Sequence, residues 1–151
     1  MGQQQLLLVI LVTIIVGIAT VVAINIFGTA ADQANRDAVR QDLMAAAVQA
    51  QAVWSRPTLM DGADRDFNNL DVAEIIERLN IPSTDPDYVP GTTETISNEN
   101  GDYEVEIDGE DALTITGTPA SGGDPIVAEV FRDEDNGQWT VEIDDEDEPA
   151  E

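Results

Sequence analysis

The chain has 151 residues, with 31 acidic side chains set against six arginines and no lysine, for a formal net charge of −25. That field repels phosphate backbones, which excludes nucleic-acid binding by the folded part, and its self-repulsion is relieved by concentrated counterions, which points to a high-salt setting. Cysteine and histidine are both absent, so disulfides, Cys or His metal sites and Ser-His or Cys-His nucleophiles are excluded, and carboxylates remain as the acid and base candidates.

The first element is the apolar run Leu6 to Phe27, LLLVILVTIIVGIATVVAINIF, with no charged side chain between Met1 and Asp32. At 1.5 Å per residue it spans roughly 30 Å as a helix, the thickness of a bilayer's hydrocarbon core. A membrane helix is therefore expected. Thr13, Thr20 and Asn25 cost little inside it, because they can bond the preceding turn's carbonyls or a neighbouring helix. Gly17, Ala19 and Ala23 are expected to form a narrow face where another helix approaches.

A cleavable secretory signal fits poorly, since such signals carry a basic front and a shorter apolar core; small residues near Ala30 and Ala31 are the place where a peptidase would cut. Myristoylation at Gly2 is excluded by Leu6, where Ser or Thr is required. The roughly 120 residues after the run suffice for one small domain.

From Thr29 to Trp54 there is no Pro or Gly, and helix formers dominate. The helix is expected to continue without a break and to become amphipathic. Val39, Leu43, Ala47, Ala50 and Trp54 recur at helical spacing on one face, while Asp37 and Gln41 turn elsewhere. Asp32, Arg36, Asp37 and Arg40 place opposite charges three or four residues apart and are expected to support the exposed part.

An apolar helix running into an amphipathic one, with Gly2-Gln3 ahead of it and the Arg- and Ala-rich stretch RDAVRQDLMAAAVQAQAVW (Arg36 to Trp54), resembles the spine of type IV pilins and pseudopilins. The resemblance implies a pilin-like α+β fold, with a long N-terminal helix packed on a small antiparallel sheet. It also implies cleavage at the Gly2-Gln3 junction by a prepilin peptidase, and self-association into a helical filament served by pilus or secretion assembly machinery. The chain would reside in the inner membrane before assembly and at the cell surface afterwards, N-terminus inside and acidic head outside. Leu7 stands where the family carries a glutamate. Arg36 and Arg40 follow the apolar run and no Lys or Arg precedes it, a weak charge signal for the opposite orientation.

Pro57 is expected to end the long helix after Ser55 and Arg56. A polar loop follows, and then LDVAEIIERL, Leu70 to Leu79, reads as a short amphipathic helix starting near Asn69 or Asp71 and closed by Pro82. From Thr92 the period changes to two. Thr92 to Ser97, Tyr103 to Ile107, Ala112 to Thr116, Ile126 to Phe131 and Gln138 to Ile143 read as strands of a meander, separated by Asn100-Gly101, Asp108-Gly109, the TPASGGDP loop and Asn136-Gly137. The face carrying Tyr103, Val105 and Ile107 is expected to pack on the helix face carrying Leu43, Ala47 and Trp54, with Trp54 and Trp139 as core or interface anchors. The domains are thus residues 1–28 (membrane or filament core), 29–55 (amphipathic continuation), 56–143 (head) and 144–151 (acidic tail, expected to be disordered).

Asp61, Asp64 and Asp66, with Asn68 and Asp71, have the spacing of hard-cation ligands. Asn69 stands where an EF-hand needs glycine, so a solvated loop is the simpler expectation. Asp133, Asp135 and Asn136 before Gly137 read as a hairpin turn. Glu104 with Glu106, or Asp144 with Asp145, are the carboxylate pairs that acid–base catalysis would use, but nothing in the pattern raises one member's pKa. No enzyme activity, cofactor or resident metal is expected. The function expected is that of a structural filament subunit; the alternatives are an uncleaved single-pass protein displaying an acidic surface domain that binds a partner or cations, and a secreted protein released near Ala31.

Overall fold

The computed structural model describes residues 2–145. Its elements are helix α1 (Gly2–Ser55), helix α2 (Val72–Arg78) and strands β1 (Thr95–Ser97), β2 (Gly101–Ile107), β3 (Ala112–Pro119), β4 (Ile126–Arg132) and β5 (Trp139–Asp144). The class is α+β: a long N-terminal helix packed on one antiparallel sheet, with strand order β1-β2-β3-β4-β5. The chain divides into two compact units inside α1, one ending at Ala34 and the other starting at Asn35.

The first unit is helix alone. From Gly2 to Ala34 every residue is exposed except Ala23, which is half-buried. The helix is long and apolar enough to cross a membrane, and its polar side chains are satisfied locally. Thr13 Oγ1 donates to the Ile10 carbonyl at 2.8 Å, Thr20 to Val16 at 2.8 Å and Thr29 to Asn25 at 3.1 Å. A hydroxyl bonded to its own preceding turn brings no unpaired donor into an apolar medium.

In the second unit α1 becomes a core element. Val39, Leu43, Ala46, Ala47, Ala50 and Val53 are fully buried against Tyr103, Ile115, Ile126, Ala128 and Val130. Each large apolar side chain among them contributes about 1.5–3 kcal/mol by leaving water. The three alanines keep the helix surface low, and Gly117 on β3 does the same for the sheet. A Cβ at Gly117 would stand 2.7 Å from Val39 Cγ1 and 3.4 Å from Leu43 Cδ1, so the absence of a side chain there sets how closely helix and sheet approach.

Helix α1 ends where Pro57 requires, and its last carbonyls, which have no partner within the helix, are capped by the loop that follows. Ala63 N donates to the Val53 carbonyl (2.9 Å), Arg65 N to Trp54 (2.8 Å) and Asp64 N to Arg56 (2.8 Å). Reaching these acceptors puts Asp61, Asp64 and Arg65 at φ of 56°, 52° and 69°, a region that Asp tolerates better than most residues. Gly62 passes so close that a Cβ would lie 2.2 Å from the Arg56 carbonyl oxygen.

Helix α2 is shorter than Leu70 to Leu79. The Glu74 carboxylate accepts from Asp71 N at 3.1 Å at its start, and Asn80 at φ 58° ends it. The strand limits shift by a few residues. Thr92 and Thr93 donate their backbone N–H groups to the Val89 carbonyl in a turn, so β1 begins only at Thr95. Gly101 belongs to β2, because Asn98 closes the turn by accepting from Asn100 N and Gly101 N. The sheet also runs past Ile143 through Asp144, and Asp145 is buried; the rest of the expected acidic tail, residues 146–151, lies outside the described residues.

Candidate interaction surfaces

Three features of the sequence bear on function, and the structure separates them. The face formed by Val39, Leu43, Ala47, Ala50 and Trp54 is buried throughout. Trp54 Nε1 donates to the Glu110 carbonyl at 3.0 Å, and that carbonyl also accepts from Phe67 N at 2.9 Å. Helix end, capping loop and β2–β3 turn are thereby tied at one oxygen. The Trp54 and Trp139 rings meet edge to face at 5.3 Å, and the Arg132 guanidinium lies 5.2 Å from the Trp54 ring centroid. Trp54 is a buried core anchor, whereas Trp139 packs on it from the sheet and is only half-buried.

The small-residue face is not one face. At 3.6 residues per turn Ala19 and Ala23 lie on the same side of α1, but Gly17 is rotated about 160° from Ala19. Helix periodicity therefore corrects that expectation, since spacings of two and six do not superpose. The large apolar side chains around them are exposed, Leu7 at 67% and Phe27 at 74%. Gly2 and Gln3 are the first two residues of α1 and are exposed.

The aspartate loop has a structural occupation. Asp66 accepts from Asn68 N at 2.9 Å and from Asn68 Nδ2 at 3.0 Å, while Asp61 and Asp64 are exposed at the positive-φ positions of the α1 cap. Among the described residues no group of three or more carboxylates is placed to hold a metal ion. Asp133 likewise organises a turn, accepting from Asp135 N (2.8 Å) and Asn136 Nδ2 (2.7 Å) ahead of Gly137 at φ 70°.

Two polar clusters escaped the sequence pattern. Asp42 Oδ2 accepts from Tyr103 Oη (2.6 Å), Asn100 Nδ2 (2.8 Å) and Asn98 Nδ2 (3.2 Å), joining α1 to the β1–β2 hairpin. Arg36, expected to pair along the helix, instead donates to Asp145 and to the Asp124 carbonyl (3.1 Å). Arg40 bridges Asp145 and Asp37, the latter at 3.0 Å. The Asp145 side chain is 2% exposed and that of Arg36 11%, so the catalytic pairing of Asp144 with Asp145 gives way to a buried ion cluster.

Burial first, then the hydrogen bond to Asp42 and its charge, push the Tyr103 phenol well above its ordinary value near 10. A group whose folded pKa is raised contributes stability that is whole below the unfolded pKa and is lost as pH climbs through and beyond it. Unfolding in denaturant should therefore become easier above about pH 10. Tyr103→Phe should be the less stable protein at neutral pH, and its deficit should shrink through that alkaline window. A deficit constant with pH would dissociate the phenol from the effect. Tyr88, raised by burial and then by Glu77, contributes in the same direction to both proteins.

No protein-family model matches this chain, and neither a curated protein nor a solved structure does. The functional conclusion therefore rests on the residues themselves.

Proposed function

We propose that the chain is a non-catalytic structural subunit of a type IV pilus-like extracellular filament, held in the membrane by its apolar helix before assembly and packed through that helix against other copies afterwards. The observation that carries this is the division of labour along one uninterrupted helix, Gly2–Ser55. Its first part exposes Leu, Ile and Val on all sides, and its second part is the core of a small acidic domain. Many copies related head to tail would bury the first part and display the second. The rival is an uncleaved single-pass surface protein, and Leu7 at the position of the family's glutamate favours it.

Material sheared from cells that produce the protein separates the two. The proposal expects filaments by negative-stain microscopy and an N-terminal peptide beginning at Gln3 by mass spectrometry. Retention of the whole chain in the membrane fraction with Gly2 present, and no filaments, would favour the surface anchor.

A further inference from the structure

Among the described residues, only one of the sheet's two edges is covered. At β1 the strand is three residues long, and Ser97 already accepts from Thr84 N at 2.9 Å and Ser83 Oγ at 3.4 Å. Short, covered edges are how sheets avoid unwanted pairing. The β5 edge is six residues long. Which of its backbone groups point outward follows from the bonds beside it. Arg132 N donates to the Asp111 carbonyl, so even-numbered β4 residues face β3. Asp133 N donates to the Gln138 carbonyl, so odd-numbered ones face β5. With Phe131 opposite Thr140 and Glu129 opposite Glu142, it is Thr140, Glu142 and Asp144 that bond to β4. The N–H and C=O groups of Trp139, Val141 and Ile143 point away from the sheet, and among the described residues they have no hydrogen-bond partner.

The side chains say what would lie there. On the inner face Trp139, Val141 and Ile143 are only half-buried, whereas Ala128 and Val130 on the adjoining strand are fully buried. On the outer face Glu129 and Glu142 stand directly opposite each other and Asp144 stands opposite Val127. Like charges facing across strands are destabilising, and none of these three carboxylates has an ion pair among the described residues. A second copy pairing through its own β5 would add two more carboxylates to that face. We propose that the β5 edge is a strand-addition site for an extended segment of another protein, with apolar residues alternating with arginine or lysine. Its backbone completes the ladder at Trp139, Val141 and Ile143, its apolar side chains cover those three residues, and its cations sit beside Glu142 and Asp144, with Glu129 one strand further in adding to the same negative field. The site is made by β4 and β5 alone, whether the chain is a filament subunit or a single surface anchor, so it does not rest on the filament proposal.

The probe is a capped heptapeptide of alternating valine and arginine, titrated into the full chain in detergent micelles and followed by calorimetry and amide hydrogen exchange. Binding should slow exchange at Trp139, Val141 and Ile143. It should weaken by about tenfold or more, roughly 1.4 kcal/mol, when the peptide's sheet-facing amides are N-methylated, or when its valines become glycines at the same charge. Val141→Pro should weaken it similarly, because the lost N–H is the outward one and the β4 ladder is kept. A peptide of alternating valine and glutamate should not bind. The proposal is overturned by an absence of binding, by binding indifferent to N-methylation, which would mark mere attraction to an acidic surface, or by protection of the three amides in the free chain that grows with its concentration, which would name a second copy as the occupant.

Discussion

An Asp145→Ala variant is expected to lose about 3–5 kcal/mol of folding stability, the cost of breaking a buried ion pair by removing one partner. That is a large share of the roughly 5–15 kcal/mol that holds a domain of this size. With its side chain 2% exposed, the Asp145 carboxylate takes Arg36 on one oxygen and Arg40 on the other. Arg40 is a third exposed and retains Asp37, so water and a local carboxylate soften its loss. Arg36 is deeper, its side chain 11% exposed, so the loss of the Asp145 carboxylate is felt there inside the fold rather than in water. Because the cluster is buried, the deficit should persist in high salt, unlike that of a surface pair. A double variant, Arg36→Met with Asp145→Leu, should recover most of the loss, since apolar side chains of similar volume often replace a buried ion pair without cost. Urea unfolding of the three proteins in detergent measures this. A single-variant loss below about 1 kcal/mol would make the contact an ordinary surface bridge.

That cluster also shows which parts of the molecule were legible in the sequence. Local patterns were. The uninterrupted helix with its Pro57 stop, the change of period from 3.6 to two, and the turn residues between strands gave the element order and the meander, because each depends on neighbours in sequence. The face of α1 that meets the sheet was legible for the same reason. Contacts between distant residues were not. Arg36 has Asp32, Asp37 and Arg40 within helical reach, and nothing in its surroundings announces a partner 109 residues away. Asp42 falls between buried positions of the helix and reads as one more solvated acid in a chain full of them, yet three donors converge on one of its oxygens. The aspartate loop shows the converse difficulty. Ligand-like spacing and tolerance of positive φ belong to the same residue type, and only the carbonyls left over at the end of α1 reveal the capping role. Strand ends moved where side chains competed for the backbone, as Asn98 does at the β1–β2 turn.

If the proposed filament reading holds, a single arginine at the middle of the apolar run, Val16→Arg, is expected to abolish filaments while leaving the chain in the membrane. Sixteen of the 22 residues from Leu6 to Phe27 are Leu, Ile, Val or Phe. At about −0.3 to −0.6 kcal/mol each near the helix centre, they together outweigh the roughly +2.5 to +3.5 kcal/mol of one central arginine. Insertion therefore survives, helped by the reach of a long side chain toward the interface. Packing against other copies does not. Val16 is exposed in the isolated chain, and in a filament built on this helix every subunit would bring an unpaired charge into an apolar core, at several kcal/mol apiece and with no lipid surface to reach. Membrane fractionation and microscopy of sheared material, run on the same cells, read the two effects separately. Filaments from the arginine variant would mean that this stretch of the helix is not packed in the assembly. Loss of the chain from the membrane would mean that the run is held there far more weakly than its composition implies.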